Sequence, residues 1–140
     1  MINFKLKHHQ SGTIYKNPHF FILNKGMNTG KHLEAPCPNC FVIIFQCSND
    51  SENMESICKS LWRVKFWHRF LIGSVIPYIR INDFAKTLNL KANEMMNDFE
   101  QHKKNVEALK LLEQKEKQFQ ENINLINEMR RVIIHRYCKK

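Results

Sequence analysis

Glycine and proline are missing from the second half of the chain, because all four glycines and all four prolines precede Tyr78. Proline breaks an α-helix and glycine weakens one, so their absence from residues 78–140 favours long helices there. The first half holds these turn formers, and its apolar residues fall in short runs. We therefore predict turns and strands in the first half and helices in the second.

The chain also lacks a long apolar run, and Phe41–Phe45 is far shorter than the ~20 residues that cross a membrane. The amino terminus alternates apolar and basic residues, so we expect no signal peptide. The five cysteines are an odd number, which does not suit a disulfide framework and is typical of a reducing compartment. We expect a cytoplasmic protein without a membrane span.

Acidic residues are scarce before residue 82. Four Asp and Glu stand against ten Lys and Arg there, which gives this part a net charge of +6 out of +9 for the whole chain. Such an excess favours a polyanionic partner or an acidic protein surface. The sequence has no Ser-His-Asp arrangement or nucleophile-elbow motif. We predict a binding protein that is not an enzyme and needs no cofactor.

The apolar pattern predicts an α+β protein. Residues that favour strands, bounded by turn formers, predict strands at Ile2–Leu6, His19–Leu23, Phe41–Gln46 and Val75–Ile81. Apolar residues at helical spacing predict a helix over Glu52–Leu71 and a helical region that opens at Phe84. The asparagine-rich stretch Leu90–Asp98 either divides that region into two helices or leaves it continuous. We predict two domains, a mixed recognition-like one over 1–82 and a helical one over 83–140, which is coiled-coil-like from about residue 105.

Apolar residues of the helical region alternate at spacings of four and three, the pattern of a coiled-coil seam. The seam consists of Leu109, Leu112, Phe119, Ile123, Ile126, Ile133 and Tyr137. Asn105, Glu116 and Arg130 interrupt it, and polar seam residues favour one specific pairing. An isolated amphipathic helix is unstable in water, so we expect a homodimer through this helix. The chain's own domain and another protein are the alternative coverings.

Cys37-Pro-Asn-Cys40 has the spacing of half a zinc site. A structural zinc needs four ligands, and no second pair at similar spacing follows. The alternative is a turn shaped by proline, with thiols buried as small apolar groups, and we favour this interpretation. Cys37 and Cys40 are thus a weak candidate for metal binding.

Six basic residues are candidates for binding nucleic acid: Lys25, Lys31, Arg63, Lys65, Arg69 and Arg80. The first two flank the loop Gly26–Gly30, which lacks the spacing of a P-loop and is either a phosphate contact or a plain surface turn. The next three interleave with aromatic residues in Leu61–Phe70, where Cys58, Trp62 and Phe66 continue one helical stripe. Basic residues contact phosphates and aromatic rings stack on bases. The same stripe is also typical of a helix that packs its aromatic residues in a core.

Two segments resemble the specificity subunits of type I restriction–modification systems. Gly73-Ser-Val-Ile-Pro-Tyr-Ile-Arg-Ile-Asn-Asp-Phe84 resembles the end of a target-recognition domain in that family. Leu111-Leu-Glu-Gln-Lys-Glu-Lys-Gln118 is similar to the Leu-Glu-Glu-Gln signature of its spacer helix, and the resemblance covers roughly residues 55–135. A full specificity subunit has two recognition domains and two spacer helices, so this chain resembles a half-size one.

The resemblance implies a non-enzymatic module that reads double-stranded DNA through its globular part, while its helices pair and dock a methyltransferase subunit. The alternative is a protein-interaction module that docks on or blocks a methyltransferase or specificity subunit and so regulates or inhibits restriction. The block Pro36–Ile43 also resembles small uncharacterised proteins of bacterial mobile elements, which implies no activity.

Overall fold

The computed structural model describes residues 3–97 and 99–138, and it confirms the predicted α+β class. The elements in chain order are β1 Phe4–His8, β2 His19–Leu23, β3 His32–Leu33, β4 Cys40–Phe45, α1 Ser48–Arg63, a short 3₁₀ helix Phe66–Phe70, α2 Ile81–Met96 and α3 Phe99–Cys138. Within the described ranges, none of the helices is long and apolar enough to cross a membrane.

The sheet is antiparallel throughout and has the order β1-β4-β2-β3. β4 lies inside it, with Phe45 opposite Phe4 of β1 and Ile44 opposite His19 of β2. A strand that is covered on both faces has no position for an exposed polar side chain. This explains why the predicted strand at Phe41 is a continuous apolar run.

Two apolar clusters cover the two faces of the sheet. The larger one joins Phe20 of β2 and Phe41 of β4 to α1, Trp67 and α2. The smaller one contains Phe21 and Val42 and is covered in part by the loop between β1 and β2. Successive residues of a strand point to opposite faces, so Phe20 and Phe21 belong to different clusters.

The predicted strand Val75–Ile81 is wrong. Tyr78 makes only isolated bridges, to Ile72 and Lys25, and Pro77 has no N–H group for a strand ladder. The side chain of Val75 is 90% exposed, so this part of the segment buries little apolar surface. Residues 74–76 form an exposed bend, Ile79 is buried in the larger cluster, and α2 begins at the last residue of the predicted strand.

The extent of the predicted helix Glu52–Leu71 is also wrong. α1 begins earlier and ends at Arg63, and Lys65 then adopts a left-handed conformation with a φ of 58°. The 3₁₀ helix follows this turn. Trp62 and Phe66 therefore lie on different elements, and the basic and aromatic residues of this segment do not share one helix.

The helical region is divided, in agreement with one of the two predicted alternatives, because α2 ends at Met96 and α3 begins at Phe99. The chain forms two compact units, residues 1–106 and 107–140. This boundary differs from the predicted one at residue 82. Phe84, Leu88 and Val106 are buried in the same cluster as the sheet residues, and they extend the first unit.

Gly30 has space for a hydrogen atom only. A Cβ at this position would overlap Cδ1 of Trp67, and the residue has a φ of +95°. We expect Gly30→Ala to lower the free energy of unfolding by about 2–4 kcal/mol, because the costs of overpacking and of a strained backbone add. Urea denaturation followed by tryptophan fluorescence measures this loss.

Gly12 offers a matched control. Its φ is +84°, and no atom lies within 4 Å of the position of a Cβ. Gly12→Ala therefore carries the backbone strain alone, about 1 kcal/mol. Equal losses in the two variants would contradict the role that we give to the contact between Gly30 and Trp67.

Candidate nucleic-acid interface

Trp67 holds together the segments that carry several of the candidate residues. Its side chain is 1% exposed, its ring centroid lies 4.4 Å from that of Phe84 in α2, and its indole faces Gly30. The neighbouring His68 places Nε2 3.2 Å from the carbonyl oxygen of Met27. The loop between β2 and β3 is therefore attached to the 3₁₀ helix.

The ring of Trp62, in the last turn of α1, has two cations near it. Lys31 Nζ lies 5.4 Å from the ring centroid and Arg63 Cζ lies 5.0 Å from it. Each exposed contact of this kind contributes about 0.5–1 kcal/mol. The structure thus brings together Lys31 and Arg63, two of the predicted nucleic-acid-binding residues from separate segments.

The ring of Phe66 has the same surroundings. Arg69 Cζ lies 4.8 Å from its centroid, and Lys91 Nζ of α2 lies 5.5 Å from it. Lys91 is also 3.1 Å from a carboxylate oxygen of Glu94. We define the cation–aromatic cluster as the two rings and these four cations: Lys31, Trp62, Arg63, Phe66, Arg69 and Lys91.

The charge of this cluster is positive at neutral pH. Glu55 of α1 is already engaged by two basic side chains, because its Oε1 lies 3.3 Å from His32 Nε2 and 3.1 Å from Lys59 Nζ. Two cations near the same ring repel each other. An anion between them attracts both, and these two attractions outweigh the repulsion. A chain of phosphates has the chemistry to do this at both rings.

The other three predicted basic residues do not belong to this cluster. Lys25 lines a shallow cavity of about 250 Å³ together with His8, His9 and Tyr78. Lys65 and Arg80 are exposed, and within residues 3–97 and 99–138 neither faces an aromatic ring at cation–π distance. Three of the six predicted residues therefore belong to the cation–aromatic cluster.

Sequence reasoning missed Lys91, His8 and His9. Lys91 belongs to the predicted helical domain, and only the packing of α2 beside the 3₁₀ helix brings it to Phe66. His8 ends β1 and His9 follows it, and they reach the cavity of Lys25 because the sheet places the ends of β1 and β2 on either side of β4. No local sequence pattern predicts either contact. For the histidines, the one signal in the sequence is the basic composition of the amino-terminal strand.

The thiol of Cys40 is a buried donor. It donates a hydrogen bond to the carbonyl oxygen of Cys37, with an S···O distance of 3.1 Å, and burial raises the pKa of the Cys40 thiol. Zinc binds the thiolate, so a raised pKa works against metal binding. In the part of the chain that the structure describes, no three His, Cys, Asp or Glu side chains are grouped as metal ligands. Pro38 and Asn39 form a turn that leads into β4, as the turn interpretation predicts.

The predicted seam residues lie in the second unit, on α3. Leu109 is half-buried, while the other apolar members up to residue 133 are exposed: Leu112, Phe119, Ile123, Ile126 and Ile133. Leu125 and Val132 are exposed as well, although the heptad pattern places them away from the seam. The second unit therefore presents a large apolar surface for its size.

The cysteines make a direct test of this description. Cys47 and Cys138 are exposed, and Cys40 and Cys58 are buried, with burial raising the pKa of both buried thiols. We expect a disulfide reagent at pH 8 to modify Cys47 and Cys138 first, Cys37 later, and the two buried thiols only on unfolding. Mass spectrometry of timed digests identifies the sites, and early modification of Cys58 would contradict the packing of α1 on the sheet.

Comparison with known proteins relates the chain to one protein family but to no curated protein and no solved structure. A search of the curated proteins and a search of the solved structures each found nothing that resembles this chain. Residues 6–136 match a protein family that is described as a family of unknown function, DUF6943. The match covers both compact units and most of the chain, and the protein is therefore a member of the DUF6943 family.

Proposed function

We propose that the protein is a non-enzymatic module that binds double-stranded DNA through the cation–aromatic cluster of its first unit. The observation that carries this proposal is the arrangement of four cations around two aromatic rings, Trp62 and Phe66, which three separate segments build together. A positive charge of +6 before residue 82 supports it. The free thiols support a reducing cytoplasm as its compartment.

The physical basis is the phosphate backbone. Lys and Arg side chains that neutralise phosphates release condensed counterions, and this release supplies much of the affinity for DNA. Lys31 and Arg69 lie near rings in contacts of about 0.5–1 kcal/mol, so a phosphate can recruit these two cations at low cost. Lys25, Lys65 and Arg80 are exposed and supplement this surface in the proposal.

The resemblance to type I specificity subunits supports a narrower version of the proposal. In that version the chain acts as a half-size specificity subunit, and α3 is the spacer helix that pairs and docks a methyltransferase subunit. The exposed apolar residues of α3 support such pairing. They also support the second candidate function, an interaction module that docks on or blocks a methyltransferase or specificity subunit. For α3 itself we propose a homodimer.

A salt titration of duplex binding tests the first proposal. Each phosphate contact contributes about −0.9 to the slope of log affinity against log salt. We expect Lys31→Gln/Arg63→Gln to flatten that slope by about 2. Fluorescence anisotropy with a labelled duplex between 50 and 300 mM salt measures the slope.

Lys5→Gln/Lys16→Gln is the matched control, since it removes the same charge from exposed positions outside the cluster. We expect this control to keep the wild-type slope. Equal flattening by both pairs would show that net charge alone attracts DNA, and a wild-type slope near zero would remove the proposal altogether.

Analytical ultracentrifugation tests the homodimer. Ile123→Asp/Ile126→Asp puts two charges into the seam, and we expect it to raise the dimer dissociation constant at least 100-fold, because burying unpaired carboxylates is costly. Leu125→Asp/Val132→Asp carries the same charges on the other side of α3, and we expect it to leave the dimer intact. A monomeric wild-type chain at 100 μM would contradict the pairing proposal.

A further inference from the structure

We infer that α3 pairs with α3 of a second copy in the antiparallel orientation, with Glu116 beside Arg130 of that copy. This inference rests on the proposed homodimer and adds its orientation. Charge is distributed unevenly along the described part of the second unit.

The two ends of this segment carry opposite charge. Residues 107–128 contain five glutamates and three lysines, a net charge of −2, whereas residues 129–138 contain three arginines and no acidic residue. A parallel pair sets the basic end of one helix against the basic end of the other. An antiparallel pair sets each basic end against an acidic segment, which is attractive over the same contact.

The two polar residues inside the seam repeat this asymmetry at close range. Glu116 and Arg130 are two heptads apart, so they occupy equivalent seam positions, and both are exposed. Phe119, Ile123 and Ile126 lie between them and form an uninterrupted apolar block. Any helix that covers this face therefore meets a negative charge on one side of the block and a positive charge on the other.

A parallel pair in register fails to do this. It sets Glu116 against Glu116 and Arg130 against Arg130, so both polar layers of the seam contain like charges. An antiparallel pair centred on the apolar block places Glu116 and Arg130 of the second copy in neighbouring layers, within reach of two long side chains. The two-fold symmetry forms this opposite-charge contact twice. The 3.4 Å contact between Arg130 Nη1 and Asn127 Oδ1 lies within the same helix and is a weak competitor.

Charge reversal distinguishes the two orientations. In the antiparallel pair, Glu116→Arg or Arg130→Glu alone creates like-charge contacts twice, and we expect each to raise the dimer dissociation constant at least tenfold. The double variant Glu116→Arg/Arg130→Glu restores opposite charges, and we expect it to return to within about threefold of wild type. In the parallel pair, all three variants exchange one like-charge layer for another and leave the dissociation constant unchanged.

Cys138 provides a second readout that does not depend on stability. It is exposed, and a Cys37→Ser/Cys47→Ser background removes the other accessible thiols. Pulsed electron paramagnetic resonance then measures the distance between spin labels on the two copies of Cys138. At 1.5 Å per residue, the antiparallel pair separates these residues by about 40–50 Å along the helix axis, whereas the parallel pair brings them within about 20 Å.

The outcomes separate this inference from the proposal on which it rests. A monomeric wild-type protein overturns both. A dimer that resists all three charge variants and gives a short label distance overturns the antiparallel orientation and keeps the homodimer. The inference is supported if each single variant weakens the dimer, the double variant restores it and the label distance is long.

Discussion

The close packing of Trp67 on Gly30 is the constraint on which the first unit depends. Trp67 is the largest of the fully buried side chains, and it contacts a loop, the 3₁₀ helix and α2 at once. Its indole Nε1 is buried without a hydrogen-bond partner in the part of the chain that the structure describes. Leaving a donor unpaired costs about 1–3 kcal/mol. The burial of the large apolar ring and its contacts with neighbouring aromatic rings offset this cost.

The candidate interface is a consequence of this packing. Lys31 follows Gly30 directly, Phe66 precedes Trp67, and Lys91 comes from the helix whose Phe84 contacts the same indole. A buried aromatic ring therefore sets the positions of cations that come from three different segments. The affinity that we propose for DNA is linked in this way to the stability of the core.

The sequence predicts well the secondary-structure elements that are determined by their own residues and by the residues next to them. The strand His19–Leu23 is confirmed to the residue, because its strand-forming residues lie between turn formers. The left-handed conformation of Lys65 could not be predicted, since no pattern marks a lysine at a positive φ, and this single residue divides the predicted helix. The contact of Lys91 with Phe66 depends on tertiary packing and was equally invisible. Only half of the predicted basic residues belong to the cluster, because a sequence shows which residues are charged but not which of them lie close together in the fold.

α3 begins within the first compact unit and continues through the second. The helix begins at Phe99, and its residue Val106 is buried in the core of the first unit, yet the same helix continues to Cys138. The equilibrium constant for forming the first turn of an isolated helix is about 10⁻³ of that for adding a residue. Adding a residue to an existing turn is nearly neutral in free energy. The folded core supplies that first turn. Residues 107–138 thus elongate from a nucleus that is already in place, and they need no initiation event of their own.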